Sequence, residues 1–418
     1  MPIKILIRSL FINTISTNRF LLIPSLHLLS FVSKANRSFL FNVDRNPVLK
    51  AVLKKTMYNQ FCAGETEKET KTCVRQLKDL GFRGVILTYA KETVLDNKTS
   101  VFHHSNGVDG LSSSEGVEAK FDNNIEDWRI GTLKTLDLID EGDILAIKMS
   151  GAGPSVVDAF TKGKLPPQQM LDTLDEIAIT CKERRIQIIV DAESQHFQKG
   201  IACTTLELMR KFNHAGFAVI YNTYQAYLKG TPAVLAQHLA EASKNGFTLG
   251  LKLVRGAYIL SEDRSLIHDT KKNTDDAYNG IAYGALCQHI GDFGGDGPGA
   301  QPFPSVNLFL ASHNRESVLT AHRLHRQRLI ARLPTVPVAF GQLQGMSDEV
   351  SFSLLREHGE AENPPDVFKC STWGSMGECV GYLVRRAVEN RDAVLRTNDE
   401  YTALKSEAKR RLRSLLYV

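Results

Sequence analysis

Tyr382, Arg385, Arg386 and Glu389 follow one another at intervals that a helix of 3.6 residues per turn gathers on one face. Two adjacent guanidiniums repel each other unless an anion lies between them, and a small carboxylate matches such a fork. The same spacing suits a solvated helix face on which Glu389 pairs with Arg385 or Arg386, and both readings stand. A second set of polar residues stands at the ends of short apolar runs: Lys148, Asp191, Gln225, Lys252, Arg255 and His313. Any one of them suits an ordinary solvent-facing strand end. Lys148 in an otherwise apolar run is different, because an unpaired buried ammonium is costly; it either serves a ligand or pairs with Asp191 on the next strand.

These residues need a frame, and the sequence supplies a repeating one. β-branched runs occur at 84–89, 144–150, 187–192, 218–224, 248–254, 306–312, 336–343 and 366–371, with helical stretches between most of them. A helix is expected over 67–80, with Cys73, Val74, Leu77 and Leu80 on one face and Gly81 as its stop. Thr231-Pro232 reads as a helix start with Gly246 as its end, and Ser347 as the cap of a helix through Val350, Leu354 and Leu355. Eight strands alternating with helices predict an α/β fold, a parallel sheet closed into a (β/α)8 barrel. An open doubly wound sheet is the alternative, but it calls for a GxGxxG turn after the first strand, and none is present. In a barrel the site is built at the carboxyl ends of the strands, where the polar residues above fall. Two stretches break the rhythm: 97–120, with His103-His104, and the Gly/Pro-rich 291–304. Disorder is expected for both. The His pair has no acidic or cysteine partner nearby, so no metal site is expected.

Composition narrows the function classes. The chain has 418 residues, 43% of them hydrophobic, with 51 Lys+Arg against 46 Asp+Glu, as expected of a globular protein. Its first acidic residue is Asp44; the five basic residues before it (Lys4, Arg8, Arg19, Lys34, Arg37) account for the whole excess of charge. The remainder is neutral, so no nucleic-acid partner is expected. Residues 1–43, basic, serine-containing and acid-free, have the composition of a mitochondrial transit segment, part of which also reads as an apolar helix packed on the main domain. The best apolar run there has only 13 residues, short of the ~20 that span a bilayer. The expected division is therefore a targeting segment and N-terminal helical extension at 1–43 and a barrel domain at 44–418. Seven cysteines without a CxxC pair indicate neither a disulfide framework nor a zinc site.

The motifs Leu251-Lys-Leu-Val-Arg-Gly-Ala-Tyr258, Asp269-Thr-Lys-Lys-Asn-Thr-Asp-Asp-Ala-Tyr278 and Ala311-Ser-His-Asn314 resemble the proline dehydrogenase family, notably its fungal members. Val190-Asp-Ala-Glu193, Asn222-Thr-Tyr-Gln-Ala-Tyr227, Gly341-Gln-Leu-Gln-Gly-Met346 and Tyr382-Leu-Val-Arg-Arg386 complete the resemblance over roughly 45–400. It implies a distorted (β/α)8 TIM-like barrel that holds FAD non-covalently at its C-terminal face and oxidises L-proline to Δ1-pyrroline-5-carboxylate. Hydride would pass to flavin N5, and electrons to ubiquinone at the matrix side of the inner mitochondrial membrane. By the resemblance, Lys148, Arg385 and Arg386 grip the substrate carboxylate, Tyr382 packs on the substrate ring, Leu343 and Cys370 line the substrate pocket, and Asp191 supports the site. Asp191, Ala192, Gln225, Lys252, Val254, Gly256, Thr270, Lys272, Ser312, His313 and Glu389 fall at cofactor positions. Many relatives carry a tyrosine where this chain has Cys370; the smaller group makes 4-hydroxyproline an alternative substrate, unless Trp373 fills the space. Two other classes compete: a barrel using Lys148 as a Schiff-base lysine in an aldolase-like reaction, and a non-catalytic metabolite-binding barrel.

Overall fold

The structure, a computed structural model, describes residues 2–32, 41–89, 94–95, 102–103, 121–259, 261–357, 364–389 and 394–416. Eight parallel strands form its centre: β1 (Gly84–Tyr89), β2 (Ile144–Ile147), β3 (Gln187–Val190), β4 (Ile220–Gln225), β5 (Leu249–Val254), β6 (Val306–Ala311), β7 (Val338–Leu343) and β8 (Asp366–Trp373). Each pairs with the next, and β8 returns to β1 in the register Phe368↔Gly84 to Trp373↔Tyr89, which closes the barrel. The expected (β/α)8 fold is the one observed, with strand bounds within three residues of those read from sequence. A short strand, Cys62–Gly64, adds beside the end of β8, where β7 has already stopped.

Alternation along the strands explains how the barrel packs. Val85 and Leu87, Leu145 and Ile147, Ile188 and Val190, and Leu249, Leu251 and Leu253 belong to the large apolar layer between barrel and helices. Their neighbours Ile86, Ile144, Ala146, Ile189, Tyr221, Phe309 and Phe368 form a separate cluster that fills the interior. The surrounding helices are α3 (Glu67–Asp79), which precedes β1, then α4 (Asn123–Leu136), α5 (Gln168–Glu183), α6 (Gln195–Phe212), α7 (Thr231–Asn245), α8 (Lys271–Cys287), α9 (Arg315–Ile330) and α10 (Asp348–Arg356). After β8 come α11 (Met376–Glu389) and α12 (Val394–Leu416). Ahead of the barrel, α1 (Ile3–Thr17) and α2 (Arg19–Val32) meet at a bend of 101°, and neither is long and apolar enough to cross a membrane. Leu6, Ser9 and Ile12 of α1 are buried, and Arg8 Nε donates to Gln60 Oε1 at 2.7 Å, so this segment packs against the body of the protein.

Local readings fared unevenly. α3 runs as expected, capped by Thr66, and Gly81 takes φ +97° just past its end. Gly246 closes α7 in the left-handed region, but Thr231 is not its cap; the Thr231 hydroxyl donates to the Gln225 carbonyl at 2.6 Å and Gly230 holds the cap position. Ser347 precedes α10 at φ +50° and its side chain caps nothing. The amide N–H groups of Ser347 and Asp348 instead donate to the Glu400 carboxylate, an acceptor brought in by α12. The 291–304 segment is ordered, contrary to expectation. Phe293 is buried in the main apolar layer, and Gly294 N–H donates to Gln301 O while Gln301 N–H donates to Asp292 O, both at 2.8 Å. In the other insertion, Val94–Leu95 pairs antiparallel with Phe102–His103; 97–101 and 104–120, including His104, lie outside the described residues.

Candidate active site

Strand alternation carries one further residue past each apolar run onto the interior face, and these residues converge at the carboxyl end of the barrel. Lys148 continues the inward series of Ile144 and Ala146; it lies one residue beyond β2, at the start of the 3-10 turn Met149–Ala152, not within the strand as read from sequence. Asp191 follows Ile189 in the same way, Gln225 ends β4, Lys252 lies in β5, and His313 follows Phe309 and Ala311. Together with Ala192, Val254, Gly256, Ser312, Leu343, Cys370 and Tyr382 they line one cavity of about 320 Å³. That is large enough for a small metabolite and part of a cofactor.

Its centre is a carboxylate between two ammoniums. Asp191 Oδ1 accepts from Lys252 Nζ at 2.6 Å, and Asp191 Oδ2 lies 4.0 Å from Lys148 Nζ. Both lysines are more than nine-tenths buried. The closer partner of Asp191 is thus Lys252, not the Lys148 that adjacency in sequence order suggests. Among the described residues, two positive charges stand around one negative in this cluster, an arrangement suited to a further anion. The Lys148 carbonyl accepts from Trp128 Nε1 at 3.0 Å. Glu193 anchors the following turn, its carboxylate accepting from Ser150 N–H at 3.1 Å and from the Ser150 hydroxyl. Leu343 N–H donates to His313 Nε2 at 3.1 Å, which makes Nε2 the acceptor and puts the ring proton on Nδ1 in the neutral form.

Two observations bear on whether a cofactor fits. Gln225 Nε2 is buried with no hydrogen-bond partner among the described residues, an expensive state that a ligand acceptor would relieve. Gly256, in the cavity lining, takes φ +146°, and a Cβ there would stand 2.4 Å from the Tyr227 ring, so the chain approaches that ring as closely as only glycine allows. Arg255 sets this edge: it donates to Asp275 at 2.7 Å, Ser312 Oγ at 2.6 Å and Ser317 Oγ at 2.8 Å, and its guanidinium lies 4.2 Å from the centre of the Tyr278 ring.

Other expected residues lie elsewhere. Thr270 caps α8, exchanging hydrogen bonds with Asn273, and Lys272 pairs with Asp276 on the exposed face of that helix at 2.6 Å; neither lines the cavity. Arg385, Arg386 and Glu389 belong to α11, one and two turns beyond Tyr382, but their side chains lie outside those described. Sequence reasoning assigned no role to Glu193 or Trp128, and took Arg255 only as one of the strand-end candidates, without its partners. Glu193 had a signal, being an acid two residues past Asp191 at a strand end, whereas the partners of Arg255 come from distant helices and loops.

The fold and this site define a (β/α)8 barrel with a cationic, metabolite-sized cavity at the carboxyl ends of its strands. A family model described as proline dehydrogenase matches residues 70–399, and the chain belongs to the proline dehydrogenase family. It is 26% identical to the probable mitochondrial proline dehydrogenase of Schizosaccharomyces pombe, over 97% of this chain and 88% of that one. It is 29% identical to the mitochondrial proline dehydrogenase 1 of Dictyostelium discoideum (92% and 70%) and 29% identical to the hydroxyproline dehydrogenase of Bos taurus (87% and 82%). Proline utilization A from Bdellovibrio bacteriovorus, inactivated by N-propargylglycine, shares the fold with a TM-score of 0.64 at 16% identity, over 90% of this chain. This chain spans 37% of that structure's length.

Proposed function

We propose that this chain oxidises L-proline to Δ1-pyrroline-5-carboxylate with bound FAD and ubiquinone as acceptor, in mitochondria at the matrix side of the inner membrane. The observation that carries the reading is the Lys148–Asp191–Lys252 cluster, buried in the same cavity as Gln225, Gly256, Ser312 and His313. FAD, when bound, supplies the two-electron acceptor that no side chain here can replace. Gln225, Lys252, Val254, Gly256, Ser312 and His313, with Ala192, would hold it; Thr270, Lys272 and Glu389 join them by family resemblance alone. Lys148 binds the substrate carboxylate, with Arg385 and Arg386 as its partners by the same resemblance. Asp191 keeps the two lysines in place and limits their repulsion. Tyr382 and Leu343 shape the apolar wall against the substrate ring. The mitochondrial setting is supported by the names of the relatives; the targeting role of 1–43 belongs to the same proposal, with the segment staying in place after import because α1 packs against the body of the protein.

A second reading, 4-hydroxyproline as substrate, is favoured by the half-buried Cys370 in the cavity wall and by the hydroxyproline dehydrogenases among the relatives. The test is an anaerobic visible spectrum of the full chain before and after L-proline and then trans-4-hydroxy-L-proline. Bleaching of a flavin band near ~450 nm is expected, faster with L-proline. A folded sample that neither carries nor takes up FAD would sink the proposal, and faster bleaching by hydroxyproline would exchange the substrates.

A further inference from the structure

A second cavity, of about 340 Å³, lies beside the first and shares Leu343, Cys370 and Tyr382 with it. Its other walls come chiefly from Phe11, Ile12, Leu26 and Leu29 of α1 and α2, and from residues around Leu53 and Phe61. Among the described lining residues there is no lysine, arginine or histidine, and Glu400 is the sole carboxylate. An anionic ligand such as a fatty acid or a phosphate ester would meet no counter-charge here and would face Glu400. A flat, uncharged ring with a few oxygen acceptors suits both the apolar walls and the sparse polar groups. The outer faces of the same two helices carry apolar residues as well, with Ile7 62%, Phe20 90% and Ile23 47% exposed, so a greasy tail leaving the cavity would meet apolar side chains there.

We propose that this cavity, walled by α1 and α2 against Leu343, Cys370 and Tyr382, binds a lipophilic quinone as the acceptor of the electrons released in the neighbouring polar cavity. The proposal rests on the oxidation proposed above. Removing hydrogen across a CH–NH bond releases two electrons and two protons, and converting a quinone to a quinol takes up two of each, so the overall exchange balances without another reactant. Glu400 is placed to relay one of those protons: it lines the cavity, and burial together with the nearby Asp348 charge raises its carboxyl to about 7.

The experiment uses the full chain, decylubiquinone as the probe, and three variants: Ser25→Trp and Thr56→Trp, each filling the cavity from a different segment, and Ser25→Ala, which keeps it open. Saturable decylubiquinone binding is measured by ultrafiltration in detergent, fold by circular dichroism, and flavin bleaching by L-proline in the same samples. Wild type and Ser25→Ala should bind alike, and at least one folded Trp variant should bind about tenfold or more weakly while L-proline still bleaches its flavin. Reduction of the water-soluble dye dichlorophenolindophenol should persist in that variant. No saturable binding by wild type, or unchanged binding in every folded Trp variant, would overturn the assignment; if both Trp variants unfold, protection of Cys370 from alkylation by decylubiquinone in the wild type decides it, absence of protection counting against. Failure of L-proline to bleach the flavin would refute the proposed oxidation separately, because the binding readout needs no turnover.

Discussion

Replacing Asp191 by asparagine removes the carboxylate that, among the described residues, lies between Lys252 and Lys148, while keeping its shape. With an effective dielectric of about 20, a charge pair at the observed 2.6 Å is worth roughly 6 kcal/mol before desolvation, and one at 4.0 Å roughly 4 kcal/mol. Neither figure survives intact, because the ammoniums had to leave water first. Breaking one side of a buried pair costs about 3–5 kcal/mol in proteins where it has been measured. Asp191→Asn should therefore lose about that much stability in urea denaturation at pH 7. A double-mutant cycle then separates the partners. Lys252→Met in the Asp191→Asn background should recover part of the loss, with a coupling of about 2 kcal/mol, since the 2.6 Å contact is a charge-assisted hydrogen bond. The cycle with Lys148→Met should give less than half of that, since 4.0 Å lies beyond hydrogen-bond reach. A loss below about 1 kcal/mol for the single variant, or coupling to Lys148 equal to that with Lys252, would refute this account of the cluster.

Two other outcomes follow from described contacts. Burial lowers His238, which shares a 2.8 Å hydrogen bond with the Tyr224 hydroxyl, from 6.5 to about 4. The folded protein thus refuses a proton that the unfolded chain accepts, so this contribution is intact above pH 6.5 and is lost as pH falls toward 4, up to about 3 kcal/mol in all; His238→Asn should flatten the pH dependence of the urea midpoint in that window, and an unchanged slope would count against it. Gly256→Ala sets a methyl group against the Tyr227 ring at a backbone angle that L residues rarely adopt, so it should reduce FAD content at least tenfold in the purified protein while Gly230→Ala, in open space, leaves it unchanged.

Much of the candidate site was legible because a barrel strand has only two faces. Once the runs at 144–150, 187–192 and 248–254 are read as strands, period-two alternation places Lys148, Asp191 and Lys252 on the interior side with Ile144, Ile189 and Gly250. Adjacency in sequence could not say which lysine Asp191 would hold; that depends on side-chain reach across neighbouring strands. The cap of α10 was misread for a similar reason, since its acceptor, Glu400, lies far along the chain in a helix that packs beside it. The 291–304 segment looks like a linker by its Gly and Pro content, and one buried aromatic, Phe293, overrides that composition. Thr270 and Lys272 rest on a motif match alone; both lie at the start of α8, outside the cavity, where strand alternation has no bearing.

The meeting of α1 with α12 bears on the order in which the protein assembles. Thr14 Oγ1 donates to the Tyr401 hydroxyl at 3.3 Å, joining residues 387 positions apart. During synthesis, or during passage through a narrow pore with the amino end leading, α1 emerges long before its neighbour does. Consecutive barrel strands can pair progressively, whereas closure of β8 on β1 and, later still, this contact wait for the far end of the chain. Until then the apolar sides of α1 and α2 are covered only by nearby residues such as those around Gln60, which makes them the natural point for chaperone capture. The apolar cavity is then among the last features to take shape, after the polar one it adjoins.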